Sequence, residues 1–276
     1  MDRYNFTAGT AIVTGAAGGI GEQLAYALAG RGSALALVDR DADRLEQVAE
    51  RVRKRGGRAA TYVVDLADDE ATHALGRRLA ADHPDTTLLI NNAGVALGGT
   101  FEQVAEEEFD WLMAINLRAV LTLTRELLPT LRANPGSHLV NISSLFGLIA
   151  PAGQVAYATS KFAVRGFTEA LRAELADQVG VTVVHPGGIR TGIAVNARVA
   201  AAVSGAQAQE GTASFAKALS YPPEKAAAEI VEAIEQRRPR LLIALSARIP
   251  DLLARLTPGR YSALLAVYQR RSARRR

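Results

Sequence analysis

Short apolar runs alternate along this chain with longer stretches in which apolar residues recur every three or four positions. Thr10 to Thr14, Ala34 to Asp39, Ala59 to Val64, Thr87 to Asn91, His138 to Ser143 and Val181 to His185 are runs of the first kind, and each predicts a buried strand. Leu241 to Leu245 predicts a last strand that closes the sheet. Gly19 to Arg31 carries Ile20, Leu24, Ala27 and Leu28 on one helical face, and Asp41 to about Arg55 predicts an amphipathic, heavily charged helix ended by Gly56-Gly57. Strands that are apolar throughout, each next to a helix, belong to a parallel sheet covered on both faces. Right-handed crossovers then give an α/β fold in three layers, a doubly wound parallel sheet whose ligands bind at the carboxyl ends of its strands.

Two stretches break the alternation. Thr191 to about Tyr221 is rich in Ala, Gly, Ser and Gln with few large apolar anchors before Phe215, the composition of a mobile helix-loop segment. Ser246 to Arg276 is an apolar and basic extension beyond the sheet, which predicts a C-terminal helical addition. No linker divides the rest. Residues 1–245 are expected to form a single domain, with 191–221 as a lid and 246–276 as the extension.

Of the 276 residues, 49% are hydrophobic and 22% charged, the balance of a chain that folds into a soluble globule. There is no cysteine, which excludes disulfides, thiolate nucleophiles and cysteine-based zinc sites and makes a reducing cytoplasm the natural setting. Met1 to Phe6 shows no basic-then-apolar signal, and no run of ~18 apolar residues appears, so export and membrane spanning are disfavoured. The pI of 9.6 comes from the tail: removing the charges of Arg270, Arg271, Arg274, Arg275 and Arg276 takes the net charge from +4 to −1. A nucleic-acid surface would carry basic residues through the body, interleaved with aromatics, so no nucleic-acid partner is expected. His73, His83 and His138 are scattered without ligand spacing, so no metal is expected.

The run Thr14-Gly15-Ala16-Ala17-Gly18-Gly19-Ile20-Gly21 follows the first strand and opens the first helix. A diphosphate needs close backbone approach and free N–H groups there, and Gly15, Gly19 and Gly21 leave that opening. In its strand-turn-helix context the spacing predicts a dinucleotide site and makes the sheet Rossmann-like. Asp39 ends the second strand, where its carboxylate can accept bonds from the adenosine ribose hydroxyls and repel a 2′-phosphate. Arg40 can pair with that phosphate instead. The opposed charges favour NAD over NADP. Asp65, at the end of the third strand, is a candidate adenine contact or a helix N-cap, roles that can coexist. Asn91-Asn92-Ala93-Gly94 supplies small polar turn residues beside the cofactor.

Tyr157 and Lys161 stand one helical turn apart, and Ser144 lies thirteen residues before Tyr157. Removing hydride from an alcohol leaves a proton for a general base, and a tyrosinate serves only if its pKa of about 10 is lowered. A shift of ~3 units is worth about 4 kcal/mol, which one cation at ~4 Å supplies at an effective dielectric near 20. Ser144 is placed to hold the substrate oxygen rather than to attack it. Trp111 and Phe109 lie on a helical stretch and read as packing or subunit contacts.

Taken in order, the glycine run, Asn91 to Gly94, Asn116 in Ile115-Asn116-Leu117, Ser144 in Asn141-Ile142-Ser143-Ser144, Tyr157 with Lys161, and Pro186-Gly187 in His185-Pro186-Gly187-Gly188-Ile189-Arg190-Thr191 resemble a classical short-chain dehydrogenase/reductase over roughly residues 8 to 245. The resemblance implies a catalytic tetrad of Asn116, Ser144, Tyr157 and Lys161, with Asn116 holding a water that links Lys161 to solvent. A helix-interior Asn bonded to a nearby backbone carbonyl is the plainer reading of Asn116. It also implies cofactor contacts at Thr14, Gly15, Gly19, Ile20, Gly21, Asp39, Arg40, Asp65, Leu66, Asn92, Ala93, Gly94, Tyr157, Lys161, Pro186, Gly187, Ile189 and Thr191. Thr191 would bind the carboxamide or phosphates, unless it only caps a turn.

The expected activity is NAD(P)-dependent interconversion of a secondary alcohol and a ketone. Leu145, Phe146, Leu148 and Ile149 near the serine, with the Ala-rich lid, point to an apolar small-molecule substrate. Two alternatives stand: a reductase of 3-oxoacyl thioesters, with Arg118, Arg125 and Arg132 facing an acidic carrier, and a non-catalytic NAD(P)-binding sensor. The apolar positions Ile249, Leu252, Leu253, Leu256, Leu264, Leu265 and Val267 of the extension have three possible uses. They can cover the active-site entrance, pack against a second subunit, or lie on an anionic membrane. Packing in a homodimer or homotetramer is the default.

Overall fold

The strands form where the chain is apolar on both sides, and their residues alternate between two cores. In β1 (Thr10–Thr14) all five residues are buried; Ala11 and Val13 face one core and Ile12 the other. The computed structural model describes residues 1–263. After β1 come α1 (Gly19–Ala29), β2 (Ala34–Asp39), α2 (Ala42–Lys54), β3 (Ala59–Val63), α3 (Asp69–Asp82), β4 (Thr86–Asn91) and β5 (Leu97–Gly98). Next are α4 (Glu106–Met113), α5 (Ala119–Ala133), β6 (His138–Ile142), α6 (Val155–Glu174), β7 (Gly180–Pro186) and β8 (Arg198–Val199), then α7 (Gly205–Ala218), α8 (Pro223–Glu235), β9 (Arg240–Ile243) and α9 (Leu245–Leu256).

Seven strands make one sheet in the order β3-β2-β1-β4-β6-β7-β9, all paired parallel. Apolar faces of α1, α2 and α8 cover one side, with Leu24, Leu28, Leu45, Val52 and Ile230 in its core. Helices α3, α5 and α6 cover the other through Leu75, Leu79, Leu123, Leu127 and Leu171. The strand order reverses between β1 and β4, so the chains leaving these strands diverge and open a crevice at their carboxyl ends. The expected Rossmann-like architecture is therefore the observed one.

Buried side chains staple the sheet behind that crevice. Asn91 and Asn141 are register partners on β4 and β6; Asn91 Nδ2 donates to Asn141 Oδ1 (2.8 Å) and to Thr124 Oγ1 of α5 (3.1 Å), and Asn141 Nδ2 donates to Thr168 Oγ1 of α6 (3.0 Å). Asn91 thus serves the core, while its neighbours Asn92 to Gly94 reach the crevice.

The last strand ends earlier than the apolar run suggests. Leu241 to Leu245 reads as one strand, but the strand is Arg240–Ile243 and Leu245 begins α9. The turn is made at Ala244, with φ 68 and ψ 158. Asp251 then ties α9 to β9: it accepts two bonds from Arg240 (2.6 and 3.2 Å) and pairs with Arg255 at 3.1 Å. Burial raises its pKa, but the bonds and charges of Arg240 and Arg255 outweigh that and hold it below the usual carboxylate range. Leu245, Ile249, Leu252 and Leu256 recur at helical spacing and stay exposed on α9. Leu264, Leu265, Val267 and the five tail arginines lie outside the described residues. Within them, no helix is long and apolar enough to cross a membrane.

Residues 191–221 contain a short ladder as well as a helix. A two-residue parallel ladder joins β8 to β5, Leu97 with Arg198 and Gly98 with Val199, and α7 follows with none of its residues buried. Two-residue strands carry no periodicity, so the ladder leaves no trace in the sequence.

Candidate active site

The crevice at the β1–β4 switch point opens into a cleft of about 610 Å³. Its floor at one end is the turn after β1. Gly15 has φ +66, a conformation that favours glycine, and a Cβ there would lie 2.8 Å from Ala93 Cα. At Gly21 a Cβ would lie 2.0 Å from the Gly15 carbonyl oxygen, because the first turn of α1 packs directly on the loop. Thr14 and Gly21 shape the cleft from behind: Thr14 Oγ1 accepts from the amides of Asn92 and Ala93 (both 3.0 Å), and Asn92 Nδ2 donates to the Thr14 and Gly15 carbonyls (2.8 and 3.2 Å). Gly15, Gly18, Gly19, Ile20, Asn92, Ala93 and Gly94 line it. Unobstructed backbone at the N-terminus of α1 is the setting that suits a diphosphate, so the residues present fit a dinucleotide.

Asp39, Arg40, Asp65 and Leu66 line the end beyond the turn. The Asp39 carboxylate accepts from Ala17 N (2.9 Å) and Asp41 N (3.1 Å), which fixes it at the tip of β2. Asp41, which caps α2, and Arg44 share this wall. Asp65 is not the N-cap of α3: that place belongs to Asp68, which accepts from Ala71 N at 2.9 Å. Asp65 accepts from Ala67 N instead (3.0 Å) and keeps its place on the wall.

At the other end Ser144, Tyr157 and Lys161 come together on one wall. In α6 the residues Tyr157, Lys161, Val164, Thr168 and Leu171 are all buried and form one helical stripe, so the packing that seats the helix also turns Tyr157 and Lys161 inward. Lys161 Nζ donates to the Ile142 carbonyl (3.0 Å) and lies 5.8 Å from the Tyr157 ring centroid. Gly94 leaves the room: a Cβ there would stand 3.2 Å from Lys161 Nζ. Phe146 packs edge-on against the tyrosine ring at 6.0 Å.

The electrostatics differ from the expectation that Lys161 brings the phenol down. Burial raises the pKa of Tyr157, and the hydrogen bond with Ser144 opposes it only in part. Burial also lowers Lys161 to about 8. Both shifts have one cause, a poorly solvated wall that disfavours every charged form. At neutral pH the protein's own groups leave Tyr157 a neutral phenol, able to give a proton.

Asn116 lies just behind this wall, in a π-helical turn of residues Ala114–Arg118 between α4 and α5. Its Oδ1 accepts from Val95 N (2.8 Å), and its Nδ2 donates to the Val95 carbonyl (3.0 Å) and Ser160 Oγ (3.2 Å). The bond to a backbone carbonyl is the one the plainer reading of a helix Asn describes, and the side chain positions the loop after β4. His185 does similar work for the serine: its Nδ1–H donates to the Ser144 carbonyl (3.1 Å), and burial lowers its pKa to about 4, so the ring is neutral.

Pro186, Gly187, Ile189 and Thr191 line the cleft opposite, with Thr191 packed over Gly19. Of the apolar residues near the serine, Leu145 and Phe146 line the cleft, whereas Leu148 and Ile149 are buried away from it. Several lining residues are not among the contacts expected from the sequence: Gly18, Arg44, Trp111, Ile193, Asn196, Arg198, Phe215 and Ser246. Trp111 is thus a cleft residue rather than only a packing one, and the Arg198 guanidinium stacks 3.6 Å above its ring centroid. Ser246 Oγ accepts from Gly188 N (3.2 Å), pinning the turn after β7 to α9. A serine just past the last strand was open to prediction, since all such strand ends face the crevice.

A family model for short chain dehydrogenases matches residues 9–202, seventy per cent of the chain. The chain is a short-chain dehydrogenase/reductase. Within this family it is 38% identical over 266 residues to the oxidoreductase SadH of Mycobacterium tuberculosis, covering 95% of each chain. Among solved structures, a short-chain dehydrogenase/reductase from Burkholderia phymatum in complex with NAD superposes with a TM-score of 0.83 at 26% identity, over 92% of this chain and 95% of that one. One from Sphingobium yanoikuyae in complex with NADPH gives 0.75 at 26% identity, over 94% and 95%. This dehydrogenase/reductase is an oxidoreductase by its family.

Proposed function

We propose that this oxidoreductase uses NAD or NADP, with NAD preferred, to interconvert a secondary alcohol and a ketone on an apolar molecule. The observation that carries the reading is that Ser144, Tyr157 and Lys161 share one cleft with the open glycine turn. A nicotinamide dinucleotide seated along that cleft supplies the hydride acceptor or donor. Tyr157 exchanges the proton with the substrate oxygen, Ser144 hydrogen-bonds that oxygen and holds it at the phenol, and Lys161 supplies the positive charge that steadies the phenolate when it forms. Asn116 acts by position, fixing the loop before the lysine's pocket. Asp39 repels a 2′-phosphate while Arg40 and Arg44 on the same wall attract one, and the carboxylate at the tip of β2 favours NAD. Val95, Ala96, Leu145, Phe146, Ile193 and Phe215 make the substrate end apolar, and α7, which buries none of its own residues, is the segment that closes over it.

Mixing the protein and its Tyr157→Phe variant with NAD, NADP and their reduced forms, against a panel of secondary alcohols and ketones, tests this by nicotinamide absorbance. Turnover in the parent that disappears in the variant, with dinucleotide binding retained, is the expected result; absence of dinucleotide binding would overturn the reading. The exposed stripe of α9 supports self-association of a cytoplasmic enzyme as a homodimer or homotetramer. Deleting 259–276 is expected to change the oligomeric state or the solubility, and an unchanged sedimentation coefficient per subunit counts against a part for the tail in assembly.

A further inference from the structure

We infer that the substrate end of the cleft contains an anion subsite at Arg198, so that the apolar molecule this oxidoreductase acts on ends in a carboxylate or phosphate. The inference rests on the alcohol–ketone reading and adds the second point at which the substrate is held. Among the described residues lining the cleft outside the wall of Asp39, Arg40, Asp41, Arg44 and Asp65, Arg198 and Lys161 are the charged ones, and Lys161 is already bonded to the Ile142 carbonyl. Val95, Ala96, Ile193 and Phe215 line the same cleft.

Arg198 is an exposed residue of the cleft lining, and the fold fixes where it stands. Arg198 lies on β8, where its amide donates to the Ala96 carbonyl (3.0 Å) and the Ala200 amide donates to the Gly98 carbonyl (2.9 Å). That two-residue ladder fixes the strand to the loop following β4, the loop that also carries Gly94 beside Lys161. One face of the guanidinium lies on the Trp111 indole at 3.6 Å, a stacking that leaves the N–H edge free for two parallel bonds to an oxyanion. Among the described residues no carboxylate occupies that edge: Arg198 makes no ion pair and no side-chain hydrogen bond there. Glu108, on the same helix as Trp111, accepts from the amides of Ala105 (3.0 Å) and Ala201 (3.1 Å) instead. An arginine held in place by stacking and backbone, with no carboxylate paired to it among the described residues, is poised for an anion brought by the ligand.

The test is equilibrium binding to the full chain in the presence of saturating dinucleotide, by titration calorimetry, with octanoate, octyl phosphate and 1-octanol as probes. The parent protein is expected to bind at least one of the two anions about tenfold or more tighter than the alcohol, as expected for a charge-assisted pair. The tighter anion identifies the head group as carboxylate or phosphate. Arg198→Met is expected to remove that preference while leaving 1-octanol within about twofold, and Arg198→Lys to restore part of it. Equal affinity for all three probes in the parent, equal loss for all three in Arg198→Met, or no binding of any probe would overturn the subsite. Because the readout is binding, those outcomes leave the alcohol–ketone reading standing; that reading fails separately, in the turnover assay with Tyr157→Phe.

Discussion

Replacing Gly18 by alanine separates the turn's part in folding from its part in holding a dinucleotide. Gly18 has φ −174 and ψ 177, extended backbone open to any residue, and a Cβ built there meets no heavy atom nearer than Arg44 Nη2 at 4.0 Å. Folding should change by no more than ~0.5 kcal/mol, with a small gain available from the stiffer unfolded chain. Gly18 lines the cleft at the N-terminus of α1, so the added methyl is expected to crowd a diphosphate bound there. Losing one charge-assisted bond there costs about 1.5–3 kcal/mol, or ~10–100-fold in Kd. Gly21→Ala reverses the pattern. Its Cβ would lie 2.0 Å from the Gly15 carbonyl oxygen and 2.7 Å from Asn92 Nδ2, so the helix shifts and the Asn92 bonds to Thr14 and Gly15 weaken. Overpacking and the lost bonds together cost about 2–5 kcal/mol. At ~2–4 °C per kcal/mol for a chain of this size, its Tm falls by about 5–15 °C. Circular dichroism melts and NADH fluorescence titrations of both variants read the two effects. A Gly18→Ala protein that binds NADH and NADPH as tightly as the parent would refute the turn as the diphosphate seat, and a Gly21→Ala protein with the parental Tm would refute the close approach.

Burial lowers Lys161 from 10.5 to about 8. Its desolvation cost is therefore present below pH 8 and relieved as pH rises towards 10.5, where the unfolded chain holds a proton that the folded one has released. Lys161→Met is expected to gain about 1–3 kcal/mol of stability at pH 7 in urea melts, shrinking by pH 10, while turnover disappears; destabilisation at pH 7 would contradict it. Because burial raises Tyr157, alcohol oxidation, which needs the phenolate, should accelerate as pH rises above neutral while ketone reduction does not; a flat oxidation profile from pH 7 to 10 counts against Tyr157 as the base. His138 and His185 are lowered to about 3 and about 4, in each case first by burial. Both stay neutral in the folded protein while the unfolded chain takes up protons near 6.5, so stability is lost as pH falls below that value. Urea melts should show about 2–4 kcal/mol less stability at pH 5 than at pH 7, an effect reduced in His138→Gln; equal stability at the two values would show that both rings are protonated in the fold.

Sequence alone determined the sheet and the two ends of the cleft, because both are written in short-range terms. A parallel strand buried on both sides must be apolar throughout, as in β1 and β4, and the turn after β1 must lack side chains where backbone approaches backbone, as at Gly15 and Gly21. Tyr157 and Lys161 were legible because one helical turn places them on the same face. Tertiary structure decided what depends on residues distant in the chain. Arg198 meets Trp111 only because β8 pairs with β5, Ser246 reaches the turn after β7 only because the chain bends at Ala244, and Leu148 and Ile149 point away although they adjoin the serine. It also set burial against the lysine's charge at Tyr157. The spacing of a lysine and a tyrosine counts one charge, whereas the pKa answers to every atom that excludes water from the wall, and that exclusion is a property of the packed molecule.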